Sequence, residues 1–332
     1  MKKYFLPEKG NFYKANLHLH SKISDGALTP EEWKEKYMAR GYSILAYTDH
    51  DTFVTHNDLT DEHFLALNGY ELALGATGGK KTCHLCAIRL TNSEELPACL
   101  SDGLWILDKQ NKPRPTGTVG YYNGQNLSYT GECISRICQD HVDSGFFVTY
   151  NHPTWSGEIY TDYISYNNMH AMEMVNYSCV VGGDEEYNAR VYDDMLLAGK
   201  RIYCIDTDDA HGEYGAYGGF TVIKAEKLEY NAVMDAMLKG HFYASEGPEI
   251  KEFYYEDGYM VIKTSPVREI SAHFLGARLG RKAKRVYAKE GEYVTEMRVA
   301  MDSEAVAFRF TAIDERGKHA NTNAVFTDTL EN

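Results

Sequence analysis

The hydrophobic pattern of the chain consists of short apolar runs, several of which are followed at once by histidine or an acidic residue. Such runs between polar turns are typical of buried strands. The runs at 43–47, 146–150 and 201–205 lead into His50, His152 and the segment 206–211. In folds where strands alternate with helices, chemistry collects at the carboxyl ends of the strands. We therefore expect these polar residues to form one site.

Helix signals lie between these runs. Thr29, Pro30 and Glu32 make a capping box with proline at the first helical position, and Gly41 ends that helix. Further helices are predicted near 131–144, 184–198 and 227–239. This alternation predicts an α/β fold with parallel strands and crossover helices.

The pattern changes after residue 247 to the alternation of antiparallel strands, as at 253–255, 259–262 and 307–310. We expect two regions, a large one over 1–247 and a small antiparallel β-sandwich over 248–332. The chain length of 332 residues suits one large domain with a smaller one.

A histidine pair, His18 and His20, provides the strongest chemical signal. Side chains at i and i+2 of a strand point to the same face, and Asp25 and His50 follow shortly after. Neutral imidazole and carboxylate are the groups that bind Zn, Mn or Fe in proteins. The pair alone is a weak pattern, but several strand ends that each supply such a residue predict a metal-dependent hydrolase.

The ordered motifs resemble a known family. HLH at 18–20, SDG at 24–26, TDHD at 48–51, Glu71 after Gly-Tyr, His84 on a strand, His152-Pro153 and Asp209-Ala210-His211 are similar to the PHP (polymerase and histidinol phosphatase) superfamily. The resemblance covers about residues 14–247 and implies a distorted (β/α)7 barrel with two or three divalent metal ions. Together with the second region it points, within that family, to the carbaryl-hydrolase-like branch.

The resemblance also implies a ligand set. Glu71 would bridge two ions and Glu173 would lie near the site without binding metal. The first ion would be held by His18, His20, Glu71 and Asp209. The second would be held by Glu71, His84 and His152, and the third by Asp25, His50 and His211.

Two choices within this set rest on the residues themselves. Asp206 and Asp208 compete with Asp209, which we favour because Asp-x-His places it on one face with His211 if the strand continues. For Asp49 and Asp51 we expect the orientation of neighbouring ligands, a supporting task that metal sites usually need.

The predicted function is hydrolysis of a small phosphomonoester or nucleotide by a metal-bound hydroxide, with Asp209, His211 and His50 as catalytic residues. One alternative is metal-dependent hydrolysis of a carboxylic ester, amide or carbamate. Another is a metal-binding module without turnover. A covalent phosphoenzyme is not expected, since neither a serine or cysteine nucleophile nor a phosphate loop is signalled.

The segment 92–130 is polar, long and rich in Gly, Asn and Tyr, which predicts an insertion that is either a lid or a surface decoration. Arg114 and Tyr121 within it are candidate substrate contacts. Trp155, which follows His152-Pro153, is a candidate for the pocket wall, with core packing as the alternative.

The net charge of the chain limits the kinds of molecule that it can bind. The formal net charge is −14, and residues 1–247 hold 21 Lys and Arg against 34 Asp and Glu. Such a chain is a poor nucleic-acid binder, whereas bound metal ions would attract a small anionic substrate. No apolar run approaches the length of a membrane span. Seven cysteines, an odd number, favour free thiols and a cytoplasmic location, although a trimmed signal peptide would leave the same start.

Overall fold

A computed structural model describes residues 2–76, 78–95, 97–101, 120–121, 128–276 and 281–330. The fold is mixed α/β with one large sheet. The helices in the described ranges are α1 (Pro30–Met38), α2 (Gly131–Asp143), α3 (Tyr160–Tyr163), α4 (Tyr177–Gly182), α5 (Ala189–Leu197) and α6 (Tyr230–Leu238). None of these helices combines the length and apolar character that a membrane crossing requires.

The strands fall into a first half that carries the candidate site and a second half that is almost purely β. The first half contains β1 (Lys2–Tyr4), β2 (Asn11–Asn16), β3 (Ile44–Tyr47), β4 (Leu65–Gly75), β5 (Thr82–Arg89), β6 (Leu100–Ser101), β7 (Gly120–Tyr121), β8 (Phe146–Asn151), β9 (Ala171–Asn176) and β10 (Tyr203–Thr207). The second half contains β11 (Phe220–Ala225), β12 (Phe242–Ser245), β13 (Ile250–Glu256), β14 (Tyr259–Val267), β15 (Glu269–Leu275), β16 (Arg281–Tyr287), β17 (Val294–Ala300), β18 (Ala307–Ile313), β19 (His319–Thr322) and β20 (Val325–Phe326).

The large sheet has fourteen strands in the described part of the chain, in the order β10-β9-β8-β5-β4-β3-β2-β11-β12-β19-β18-β15-β16, with β20 beside β18. The edge strand β10 also packs against β11 and β12, so the first half of the sheet curls back on itself. A second sheet has the order β1-β13-β14-β17. It faces the far end of the large sheet across a core that includes Phe253, Ile262, Phe274, Phe308 and Phe310.

The prediction of parallel strands is only partly correct. The pairs β2–β3, β3–β4, β8–β9 and β9–β10 are parallel. In contrast, β5 is antiparallel to both β4 and β8, and β11 is antiparallel to β2. The reason for β5 is the short connection after Gly75, because a tight turn can join only antiparallel neighbours.

The four predicted helices are present, but two of them begin later than predicted, and the helix predicted at 227–239 spans Tyr230–Leu238. Thr29 caps α1, and the capping box with Glu32 is present. The predicted helix 184–198 begins only at Ala189. The preceding residues are used otherwise, because Tyr187 bridges to Val175 and the Glu186 carboxylate accepts backbone hydrogen bonds from another loop.

Candidate metal centre

Four side chains from three parts of the large sheet meet in a buried cluster. His18 and His20 follow β2, Glu71 lies within β4, and Asp209 follows β10. His20 Nε2 lies 2.9 Å from Asp209 Oδ1 and 3.4 Å from Glu71 Oε2, and His18 Nε2 lies 3.2 Å from both carboxylates. A tetrahedral ion with bonds of about 2.1 Å separates its ligands by roughly 3.4 Å. The spacing of the cluster therefore fits one divalent ion.

Unsatisfied atoms in this cluster provide a separate test of that fit. Two buried carboxylate oxygens, Glu71 Oε2 and Asp209 Oδ1, make no hydrogen bond of good geometry in the structure, although both lie close to His20 Nε2. Buried polar atoms are rarely left unpaired, since each costs about 1–3 kcal/mol. A cation among His20 Nε2 and these two oxygens would supply the missing interactions, so the residues present fit a metal ion.

A second group surrounds the other oxygen of Glu71. Glu71 Oε1 lies 3.1 Å from His84 Nδ1 and 3.2 Å from His152 Nε2. The ligand atoms of Glu71, His84 and His50 also lie within 4.8 Å of one another, as do those of His152, His18 and Glu173. Glu71 thus reaches two groups with its two oxygens, which is the arrangement that a bridging carboxylate needs.

A third group lies closer to the surface. Asp25 Oδ1 is 3.4 Å from His211 Nε2, 3.8 Å from His50 Nε2 and 4.0 Å from His20 Nδ1. His50 and His211 have side chains that are 24% and 28% exposed, whereas His20 is fully buried. The group therefore opens toward the solvent, with His20 between it and the first cluster.

Electrostatic interactions between Glu71 and the surrounding histidines connect these groups. Burial alone would lower the pKa of His50 and of His152, but hydrogen bonding to Glu71 outweighs it and raises each pKa to about 9. Burial would raise the pKa of Glu71, yet the neighbouring charges of His18 and His84 hold it well below its usual range. The carboxylates are therefore ionised and available to bind a cation.

Glu173, on β9, organises the cluster from behind. Its carboxylate accepts hydrogen bonds from His18 Nδ1 at 2.7 Å, from the Thr207 hydroxyl at 2.6 Å and from the His152 backbone N–H at 2.8 Å. This uses the Nδ1 proton of His18 and leaves its Nε2 lone pair facing the cluster.

Asp49 supports the third group. Its carboxylate accepts hydrogen bonds from the backbone N–H groups of Ser21 and Ser24, at 2.8 and 3.0 Å, and from both hydroxyls. These bonds fix the loop that presents Asp25, in agreement with the orienting task expected for Asp49. For Asp51 the backbone N–H donates to the Glu71 carbonyl at 2.7 Å.

The structure gives different surroundings to the three aspartates, Asp206, Asp208 and Asp209, that the sequence offers as candidate metal ligands. Asp208 accepts hydrogen bonds from Tyr37 and from the backbone N–H groups of residues 217–219, and Asp206 accepts one from Val175. Only Asp209 of the three lies among the candidate ligands. The expected reason was wrong, because β10 ends at Thr207 and Asp209 does not continue the strand.

Backbone strain coincides with two candidate ligands. Asp209 has φ +53° and His152 has φ +26°, both in the region that favours glycine. Such conformations cost of the order of 1–3 kcal/mol and concentrate at functional sites. At these positions the turn aims the side chain at the cluster instead of along its strand.

Two asparagines belong to the site although sequence reasoning missed them. Asn151 Nδ2 donates to Glu71 Oε1 at 3.0 Å, and Asn176 Nδ2 donates to Asp209 Oδ2 at 3.1 Å. Each is the last residue of a strand, β8 or β9. Their position at the end of a strand was the sequence signal that could have identified them, because the candidate histidines and acids were chosen by the same strand-end rule.

The candidate substrate contacts differ in what the structure describes. Trp155 lies beside the metal centre, with its ring centroid 4.9 Å from that of His152 and 5.5 Å from that of His84. Arg114 lies outside the described residues, as does most of the insertion at 92–130. Tyr121 is described only by its backbone, in the pairing of β7 with β6.

Comparison with known proteins gives one curated relative. The chain is 35% identical over 149 residues to a 3',5'-nucleoside bisphosphate phosphatase from Chromobacterium violaceum, a match that covers 39% of this chain and 50% of the relative. The chain thus spans about half the length of the curated relative it matches. No family model matches the chain.

Two solved structures align with much of the chain. One is a two-domain protein from Bacteroides vulgatus that contains a predicted PHP-like metal-dependent phosphoesterase, with a TM-score of 0.46, 14% identity and coverage of 94% of both chains. The other is an amidohydrolase from Chromobacterium violaceum, with a TM-score of 0.40, 18% identity and coverage of 60% of this chain and 88% of that chain. In its ordered motifs the chain resembles the PHP superfamily, and its curated relative is a phosphatase.

Proposed function

We propose that this protein is a metal-dependent phosphoesterase that hydrolyses a small phosphomonoester or nucleotide. The observation that carries the proposal is the buried cluster of His18, His20, Glu71 and Asp209, whose ligand atoms all lie within 4.8 Å of one another. An adjoining group around His84 and a third around Asp25 extend the site. Several adjacent divalent ions are a common device for phosphoryl chemistry.

We assign the ions to the residues as follows. Glu71 would bridge the first two, and the third would lie nearest the solvent. The first ion would be held by His18, His20, Glu71 and Asp209, the second by Glu71, His84 and His152, and the third by Asp25, His50 and His211. Mixed imidazole and carboxylate sets accept Zn, Mn or Fe. When bound, such ions lower the pKa of a water and neutralise charge on a phosphoryl group.

The chain's own residues orient the ligands and line the exit of the site. Glu173 orients the ring of His18, and Asn176 holds one oxygen of Asp209. His50 and His211 lie at the partly exposed edge, where a leaving group would depart.

The substrate class follows from charge and from the relative. The name of the curated relative describes a phosphatase of a nucleoside bisphosphate. A small phosphate ester also suits a chain whose net charge of −14 disfavours a stable nucleic-acid partner. If the protein released no phosphate, hydrolysis of a carboxylic ester or amide would be the alternative reaction.

We also propose the finer architecture implied by the family resemblance. Residues 1–247 would form a distorted (β/α)7 barrel, a proposal supported by the packing of β10 against β11. Residues 248–332 would form a β-sandwich domain, supported by the core shared between the two sheets. A cytoplasmic location is supported by the seven cysteines, all of which lie in the described part of the chain as free thiols.

Phosphate release from a panel of phosphomonoesters and nucleotides tests the function. The protein is loaded in turn with Mn²⁺, Zn²⁺ or Fe²⁺, and metal content is measured by elemental analysis. We expect turnover that disappears in Asp209→Asn and persists in Asp235→Asn, a matched change at an exposed position on α6. A metal-loaded protein that releases no phosphate from any ester would refute the proposal.

A further inference from the structure

Trp155 combines proximity to the metal centre with exposure. Its ring meets His152 and His84 edge-to-face, with interplanar angles of 83° and 64°. The residue nevertheless remains 50% exposed. The two candidate ligands thus contact the indole, while about half of the surface of Trp155 faces the solvent beside the candidate metal centre.

The loop that carries Trp155 is held by buried groups. The Trp155 backbone N–H donates to Glu186 Oε2 at 2.7 Å, and the Thr154 N–H donates to Glu186 Oε1 at 3.2 Å. Glu186 is fully buried and accepts a further hydrogen bond from Asn188 at 2.6 Å. Glu173 also accepts from the His152 N–H, and the Ser156 N–H donates to the His152 carbonyl at 3.1 Å, so the backbone is held on both sides of Trp155. A side chain mounted in this way offers a rigid surface with little conformational entropy to lose on binding.

An ester bound at the candidate metal centre would place its alcohol portion within reach of this indole. Ligand sites are typically lined by aromatic side chains beside a few polar groups. Further along the chain, Ile159 and Tyr160 are also 56% and 53% exposed.

On the basis of the phosphoesterase function proposed above, we propose that the exposed indole of Trp155 stacks with a planar ring in the substrate. The preferred substrates are then phosphomonoesters whose alcohol portion carries a nucleobase or an aryl ring. Stacking of a base on an aromatic side chain contributes about 1–3 kcal/mol. Because every base has an aromatic face, this contact selects for a ring without selecting among bases.

The test compares esters with and without a ring. The first pair is adenosine 5'-monophosphate and ribose 5-phosphate, which share the sugar and the ester and differ only by the base. The second pair is p-nitrophenyl phosphate and glycerol 3-phosphate. We expect the metal-loaded protein to favour the ring-bearing member of each pair. Trp155→Leu should raise KM for that member, relative to KM for the ringless member, by roughly 5- to 150-fold.

Two variants separate stacking from a structural effect. Trp155→Phe keeps an aromatic ring beside His84 and His152, so it should retain most of the preference. Tyr293→Leu removes an aromatic residue that is 51% exposed but lies far along the chain in the small region, and it should leave the preference unchanged. Metal content measured for each variant shows whether the centre itself has been altered.

A binding measurement tests the inference independently of turnover. Adenosine should quench the indole fluorescence of the wild-type protein, whereas ribose should not. The quenching should be lost in Trp155→Phe, although calorimetry should still detect adenosine binding to that variant. Quenching that persists in Trp155→Phe, or equal rates with ring-bearing and ringless esters, would overturn the stacking proposal and leave the phosphoesterase function standing. A protein that binds adenosine through Trp155 but releases no phosphate would instead refute the function alone.

Discussion

Glu173 Oε1 lies 2.7 Å from Nδ1 of His18, and both residues are buried. The carboxylate therefore decides which ring nitrogen of His18 carries the proton, and the other nitrogen lies 3.2 Å from Glu71 and from Asp209. In the proposed assignment, a residue that would bind no metal itself thus sets the chemical form of a residue that would.

Replacement of Glu173 by Gln should weaken metal binding without removing a ligand. The amide carries no negative charge, and it cannot accept all the hydrogen bonds that the carboxylate accepts from His18, Thr207 and the His152 backbone. Loss of such a supporting partner typically lowers metal affinity by about 10- to 100-fold. Titration of metal-free protein with Mn²⁺ or Zn²⁺ measures the affinity.

The matched control for this change is Glu185→Gln, which makes the same substitution at an exposed position. Its metal affinity should equal that of the wild-type protein. If Glu173→Gln also bound metal like the wild type, Glu173 would have no part in preparing His18.

Asp208 and Asp209 should have opposite phenotypes although they are neighbours. Asp208 accepts hydrogen bonds from Tyr37 and from three successive backbone N–H groups, so Asp208→Ala should lower the free energy of unfolding by about 3 kcal/mol or more. Asp209→Asn should instead lose bound metal. Urea unfolding and elemental analysis of both variants distinguish the two outcomes, and metal loss that is greater in Asp208→Ala would reverse our assignment.

The sequence indicated which residues gather at the candidate site better than it indicated the backbone conformations that orient them. His18, His20 and Glu71 are recognisable because ligand chemistry restricts the residue type and the motifs keep a fixed order. By contrast, the left-handed turn at Asp209 carries no distinctive signal. An aspartate adopts that conformation only because surrounding contacts, such as the bond from its N–H to the His18 carbonyl, hold it there.

The same limit applies to the fold. The capping box at Thr29 predicted the start of α1 because the signal is local. The antiparallel course of β5 depends on a turn whose residues follow Gly75, and the apolar pattern of a buried strand is the same in either direction. Likewise, Glu186 and Tyr187 read as helical in sequence, but their partners, Trp155 and Val175, are distant along the chain.

Acid should destabilise the protein through His141, on α2. Its ring nitrogens face the Tyr70 hydroxyl and the Ile137 carbonyl, and burial lowers the pKa of His141 to about 4. In the unfolded chain this pKa is about 6.5. Between these values the unfolded state binds more protons, so stability is fully present above pH 6.5 and falls as the pH drops toward 4. The loss from this residue reaches about 3 kcal/mol.

Urea unfolding between pH 4 and 7.5 measures this effect. The slope should be shallower in His141→Gln, which cannot titrate, and unchanged in His63→Gln, since His63 is exposed. An identical pH slope in the wild type and in His141→Gln would show that other groups cause the acid sensitivity.

A buried ion pair joins α5 to the β-rich region. Arg309 Nε and Nη2 lie 2.8 and 3.2 Å from the two carboxylate oxygens of Asp193, and both side chains are almost completely buried. Arg309→Met or Asp193→Leu alone leaves one uncompensated charge in the core, so each should cost about 3–5 kcal/mol. The double variant removes both charges and should regain most of that loss. Urea unfolding of the four proteins gives the coupling energy, and additive losses would mean that the pair does not act as a unit.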